Sequence, residues 1–155
     1  MDKLVRQLDE LESKISQSDS LNLAISKSSI GWHIEHALLT INLIIEGLKQ
    51  SDPNDYKWKF SRSKFLVFTM NKIPRGRARS PKAVLPKGDF SIDTLNRHCN
   101  ATKIKLGELQ NLKPKSYIQH PFFGKLKLKS TLKFIVIHTK HHIDIINDIL
   151  KANNR

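Results

Sequence analysis

The chain has 155 residues, 39% of them hydrophobic, with one cysteine and a net charge of +13. That length suits a single domain spanning 1–155, large enough to bury roughly two-thirds of its unfolded surface. No apolar run approaches the 18 or so residues of a membrane span, and the polar start Met1-Asp2-Lys3 is unlike a secretory leader. With Cys99 alone, a reducing, cytoplasmic setting is expected and no membrane partner is.

The charge is unevenly placed. Residues 1–55 hold nine acids and five bases, whereas ten Lys or Arg and no acid occur from Tyr56 to Gly88. Seven Lys and no acid follow from Leu109 to Ile143. Such blocks point to an anionic partner, whether nucleic acid, a membrane surface or a negatively charged small substrate, or else form a solubilising surface.

In chain order, Leu4, Leu8, Leu11 and Ile15 mark one stripe of a first helix. A long second helix is predicted from about Ser28 or Ser29 to Lys49, ending before Ser51-Asp52-Pro53. Its polar arc is narrow (Glu35, Asn42, Glu46 and Lys49), so most of its circumference should be buried. A short apolar helix is expected from Lys64 to Asn71, with Tyr56, Trp58 and Phe60 before it packing against the helices. A basic loop punctuated by Pro74, Gly76, Pro81, Pro86 and Gly88 follows. A third long helix runs from Ser91 to Leu112, with Cys99 as a small core residue. His120-Pro121-Phe122-Phe123-Gly124 reads as a turn-rich aromatic connector, and a last helix spans Ser130 to Ala152. With no strand alternation, the expected class is all-α, a four-helix bundle with two long connections.

The last helix carries the chemistry. At about 100° per residue, with Ile135 at zero, His142 falls near 340° and His138 near 300°, inside the stripe of Ile146, Ile149 and Ile145. Two imidazoles four residues apart lie one above the other. Aimed at one spot, they suit a transition-metal ion. Either His33 or His36, both on the buried arc of the second helix, can supply a third nitrogen, and periodicity does not choose between them. Glu35 and Asp144 fall on polar arcs, so no carboxylate is placed as a fourth ligand or general base. The competing reading is a basic binding module without enzymatic activity. In it, Arg75, Arg77, Arg79 and Lys82 contact the phosphates of nucleic acid or another polyanion, and the histidines are structural.

Ile30-Gly31-Trp32-His33-Ile34-Glu35-His36-Ala37-Leu38-Leu39 resembles the second-helix segment of the DinB/YfiT-like superfamily. His138-Thr139-Lys140-His141-His142 resembles its last-helix HxxHH pattern, and His120-Pro121-Phe122-Phe123-Gly124 is similar to a piece that precedes that helix in some members. The resemblance implies a four-helix bundle whose His36, His138 and His142 bind zinc, nickel or a similar divalent ion. It also implies a metal-dependent thiol transferase using a low-molecular-weight thiol, or a hydrolase, acting on a small-molecule substrate. His33 and His141 then flank the ligands as supporting or acid/base groups, and His120 lines the mouth. The basic loop 75–87 is expected across the open end of the pocket, presenting Arg77, Arg79 or Lys82 to an anionic ligand. A homodimer is left open.

Overall fold

The computed structural model describes residues 2–76, 80–88 and 90–154. Among the described residues the main elements are five α-helices and one small sheet, with short 3-10 turns between them: α1 (Asp2–Glu12), α2 (Ile30–Gln50), α3 (Arg62–Met70), α4 (Ile92–Leu106), β1 (Tyr117–His120), β2 (Gly124–Lys127) and α5 (Leu128–Asn153). The architecture is mainly α. Among the described residues, no helix is long and apolar enough to cross a membrane.

Helices α1, α2, α4 and α5 pack on one another around a shared core that includes Leu8, Leu11, Ile34, Ile41, Leu95, Ile135 and Ile146. Serine caps mark the starts of α2, α3 and α4. The Ser29 hydroxyl caps α2 by accepting from the Trp32 amide at 3.3 Å. Ser61 and Ser91 do the same for α3 and α4, satisfying amides that have no partner within the first turn. The third long helix ends as a tighter 3-10 turn over Gly107–Asn111. The short helix starts earlier than the sequence suggests, at Arg62.

The all-α expectation is corrected by the hairpin. β1 and β2 pair antiparallel, with Ile118 opposite Leu126 and His120 opposite Gly124. Each strand has four residues, so only two positions per strand face the core, and Ile118 and Leu126 are the buried ones. That is too short a run for alternation to be distinguished from a connector. The turn between them needs Gly124, at φ 70°. Leu126 is fully buried, and its carbonyl accepts from the Thr131 hydroxyl at 2.8 Å, which joins the hairpin to the first turn of α5.

A second correction concerns the aromatics before α3. Tyr56 approaches Tyr117, with ring centroids 6.0 Å apart, but Trp58 and Phe60 stand exposed instead of packing on the helices.

Two contacts hold the site-bearing helices in register. The buried Gln7 side chain of α1 donates to the Val136 carbonyl at 3.0 Å, fixing α5 half a turn before His138. At the start of α2, the Gly31 amide donates to the Ser18 carbonyl at 2.8 Å. A Cβ on Gly31 would lie 2.7 Å from Phe90 Cβ and 3.1 Å from Ser18 Cβ. Gly31→Ala is therefore expected to cost about 1–3 kcal/mol through overpacking. Gly107 is helical, at φ −59°, and a Cβ there meets nothing within 4 Å. Gly107→Ala should stabilise by about 0.4–1 kcal/mol by restricting the unfolded chain. Denaturant unfolding of the two variants checks the opposite signs.

Candidate metal centre

Helices α2 and α5 face each other across a surface built from imidazoles. His33 and His36 of α2 and His142 of α5 are buried, and His138 is half-buried. One nitrogen each from His36, His138 and His142 lies within 4.8 Å of the others. The ring centroids are 5.2 Å apart for His36–His138, 4.7 Å for His36–His142 and 4.6 Å for His138–His142. The i, i+4 spacing on α5 stacks its pair, and α2 brings His36 to them. Three such imidazoles can bind a metal ion.

The remaining nitrogens show whether the rings suit an ion. His36 Nδ1 lies 2.7 Å from the Val84 carbonyl. A carbonyl only accepts, so this nitrogen carries the proton and Nε2 keeps a lone pair. The indole of Trp32 stacks on the same ring, with centroids 5.0 Å apart and planes 10° apart. His142 Nδ1 lies 3.0 Å from His33 Nδ1, and His33 Nε2 lies 2.9 Å from Ser26 Oγ. One setting of this chain has His142 donating to His33 and His33 donating to Ser26. It frees the Nε2 lone pair of His142. His33 thus sits behind the cluster as a partner of His142. His138 Nδ1 is sealed from solvent without a hydrogen-bond partner, a costly state for a ring nitrogen. The other unpaired atoms of this kind among the described residues are oxygens of Gln7, Asn42 and Thr139. With these partners, the three rings could hold a metal ion.

Electrostatics keeps these rings neutral. Desolvation pushes His138 and His142 well below the usual histidine range, and the neighbouring histidines add to it. Burial also lowers His36, against the raising effect of its bond to Val84. It lowers His141 as well, with Arg75 reinforcing the shift. His33 is brought to about 4 by burial, then by His36, His141 and Arg75. Neutral imidazoles are the form that ligates metal.

His120 also makes contacts within the hairpin. Its Nδ1 accepts from the Phe122 and Phe123 amides at 3.2 and 3.3 Å, and its ring stacks on Phe123 with centroids 4.2 Å apart. It lines the same cavity while holding the hairpin turn, and burial lowers it to about 4.

A cavity of about 570 Å³ opens from the histidines. It follows α2 from His36 toward Gln50, about 21 Å at 1.5 Å per residue. Its walls include Ile44, Val84, Phe123, Phe134 and Ile145, with His141 beside the cluster and Tyr117 and Gln119 on β1. Among the described residues, no Lys, Arg, Asp or Glu lines it. The loop after α3 does lie across the cavity, through Ile73, Pro74, Gly76, Ser80, Pro81 and Val84. Lys82 is exposed and is not part of the lining, and Arg75 pairs with Asp148 at 2.8 Å. Arg77 and Arg79 lie outside the described residues.

Sequence reasoning did not reach Val84, Ser26 or the stacking of Trp32. A carbonyl partner leaves no signature in residue type, and Ser26 lies in a loop whose path periodicity does not encode. Nor did it reach the network between α2 and α4. There Glu35 and His98 pair at 2.8 Å, and Asn42 reaches both His98 and Thr102 at 2.8 Å. Glu35 is thereby committed away from the cavity. Asp144 is paired with Lys140 at 2.7 Å.

No protein-family model, curated protein or solved structure matches the chain.

Buried neutral histidines make stability depend on pH with a definite sign. Between about pH 6.5 and 4 the unfolded chain takes up protons at His33 and His120 that the folded chain refuses, which favours unfolding. Their contribution is full above pH 6.5 and falls as the pH drops toward 4. Denaturant midpoints of metal-free protein should decline from pH 7.5 to pH 5, and the decline should be shallower in His120→Gln. Equal slopes for the two proteins would remove His120 from this account.

Proposed function

We propose that the chain is a metal-dependent enzyme of the DinB/YfiT-like kind. In this reading α1, α2, α4 and α5 are the four helices of its bundle, and His36, His138 and His142 hold one divalent ion, zinc or nickel. The observation that carries the reading is the convergence of three imidazoles, one with Nδ1 bonded to a carbonyl, one with Nδ1 bonded to another histidine, and one with Nδ1 sealed without a partner. Packing alone gives no reason to place such groups where aliphatic side chains would fit.

When bound, the ion would supply Lewis-acid polarisation and a lowered pKa for a nucleophile brought to it. The chain's own residues do the rest. His33 and Val84 set the tautomers of His142 and His36. The apolar walls at Ile44, Phe134 and Ile145 exclude water from the approaching substrate. His141, which lines the cavity beside the cluster, would accept the proton that the nucleophile gives up.

Transfer of a low-molecular-weight thiol to an electrophile fits better than hydrolysis. No described carboxylate lines the cavity to serve as a base for water, and a thiol needs less activation. The electrophile would be a small molecule with an apolar body, and an anionic thiol would approach from the side of the basic loop. The single cysteine suits a reducing cytoplasm. It is buried, and burial pushes its thiol up to about 11, so it is no competitor as a nucleophile.

Elemental analysis of protein purified without a histidine tag should find about one equivalent of zinc or nickel, or uptake of one equivalent on titration. His138→Ala should abolish that binding, while His33→Leu should weaken it about 10–100-fold, as loss of an outer hydrogen-bond partner does. A folded wild-type protein that takes up neither ion would refute the metal site. Binding with no thiol conjugation across a panel of apolar electrophiles would refute the reaction alone.

A further inference from the structure

The histidine centre makes no use of the stretch from Lys57 to Lys72. Lys57, Trp58, Lys59 and Phe60 are all exposed. In α3 no residue is fully buried, and Lys64, Val67 and Phe68 face inward. The outward arc of α3 carries Arg62, Phe65, Leu66 and Met70. Trp58, Phe60, Phe65, Leu66 and Met70 are between 57% and 69% exposed. This helix keeps much of its apolar surface in water, and such a concentration marks an interaction surface.

Its charges say what it faces. Lys57, Lys59, Arg62, Lys64 and Lys72 accompany these side chains, and no acid lies between Tyr56 and Gly88. None of the ion pairs among the described residues involves any of the five. Lys64 and Lys133 sit over the Phe68 ring, 5.7 and 5.6 Å from its centroid. A groove of about 590 Å³ between residues 58–60 and α3 is walled by Trp58, Phe65 and Phe68, with Lys64 and Lys133 on its lining.

We propose that residues 57–60 and the outward face of α3 dock on the surface of an anionic phospholipid bilayer. Trp and Phe rings with Leu66 and Met70 enter the boundary between headgroups and acyl chains, while the Lys and Arg heads remain at the phosphates. A second copy of the chain is disfavoured as the occupant, because a two-fold interface sets the same patch against itself. Lys57, Lys59 and Arg62 would then confront their equivalents with no acid between. A nucleic acid would use rings for base stacking, whereas Leu66 and Met70 offer none. The face is held firmly for docking: Ser63 Oγ donates to the Phe122 carbonyl at 2.8 Å, and Phe68 packs edge-on against Phe123 with centroids 5.9 Å apart.

The test is co-sedimentation of the full chain with extruded vesicles of phosphatidylcholine, alone or mixed with phosphatidylserine. The protein should sediment with the mixed vesicles, far less with the neutral ones, and less as salt rises. Trp58→Ser with Phe65→Ser, and separately Lys57→Glu with Lys59→Glu, should each reduce partitioning at least about tenfold. These side chains are exposed, so unchanged circular dichroism is expected of both variants and certifies the fold. Failure to bind mixed vesicles, or binding indifferent to both pairs of substitutions, overturns the proposal. So does preferential binding of polyuridylate over vesicles, or a dimer in solution that the same substitutions dissolve.

Discussion

Between α2 and α5, imidazole rings occupy space that packing alone would give to Leu or Ile, and every buried ring nitrogen there must find a partner or pay for its isolation. The neighbouring structure follows from that constraint. The loop after α3 brings the Val84 carbonyl over the helix to meet His36 Nδ1. The segment before α2 brings Ser26 to His33, and through it to His142. Close approach at Gly31 sets where α2 begins, and so where both of its histidines point. His138 is the ring whose Nδ1 these arrangements leave unsatisfied.

Burial also decides the charge state. A cluster of protonated imidazoles at centroid separations near 5 Å would repel strongly at low local dielectric, and desolvation already opposes protonation of each ring. The cluster is therefore a set of neutral nitrogen donors facing an apolar cavity. Among the described residues, several cations of the basic stretch lie away from it: Arg75 is tied to Asp148, Lys82 is outside the lining, and Lys57, Lys59 and Arg62 accompany an exposed aromatic face.

The two site-bearing helices were legible from the sequence because long amphipathic periods are redundant signals. Many apolar positions on α2 and α5 agree on one buried direction, and His138 and His142 fall inside it. The choice between His33 and His36 was not legible from periodicity, since both are buried and their difference lies in what each second nitrogen touches. The hairpin was missed because Ile118 and Leu126 are almost its whole apolar signal. Trp58 and Phe60 ran against expectation for a different reason. Hydrophobic residues are assigned to a core by default, and the sequence does not show that α3 turns Phe65, Leu66 and Met70 outward.

The account depends on His36 and His142 being neutral and protonated at Nδ1 before any ion arrives. Long-range proton–nitrogen correlation spectra of the metal-free protein at neutral pH read this directly, ring by ring, once assigned with His36→Gln and His142→Gln. The account predicts the Nδ1–H tautomer for both, with His33 as the complementary Nε2–H form. An Nε2–H tautomer at His36, or an imidazolium at either ring, would contradict it.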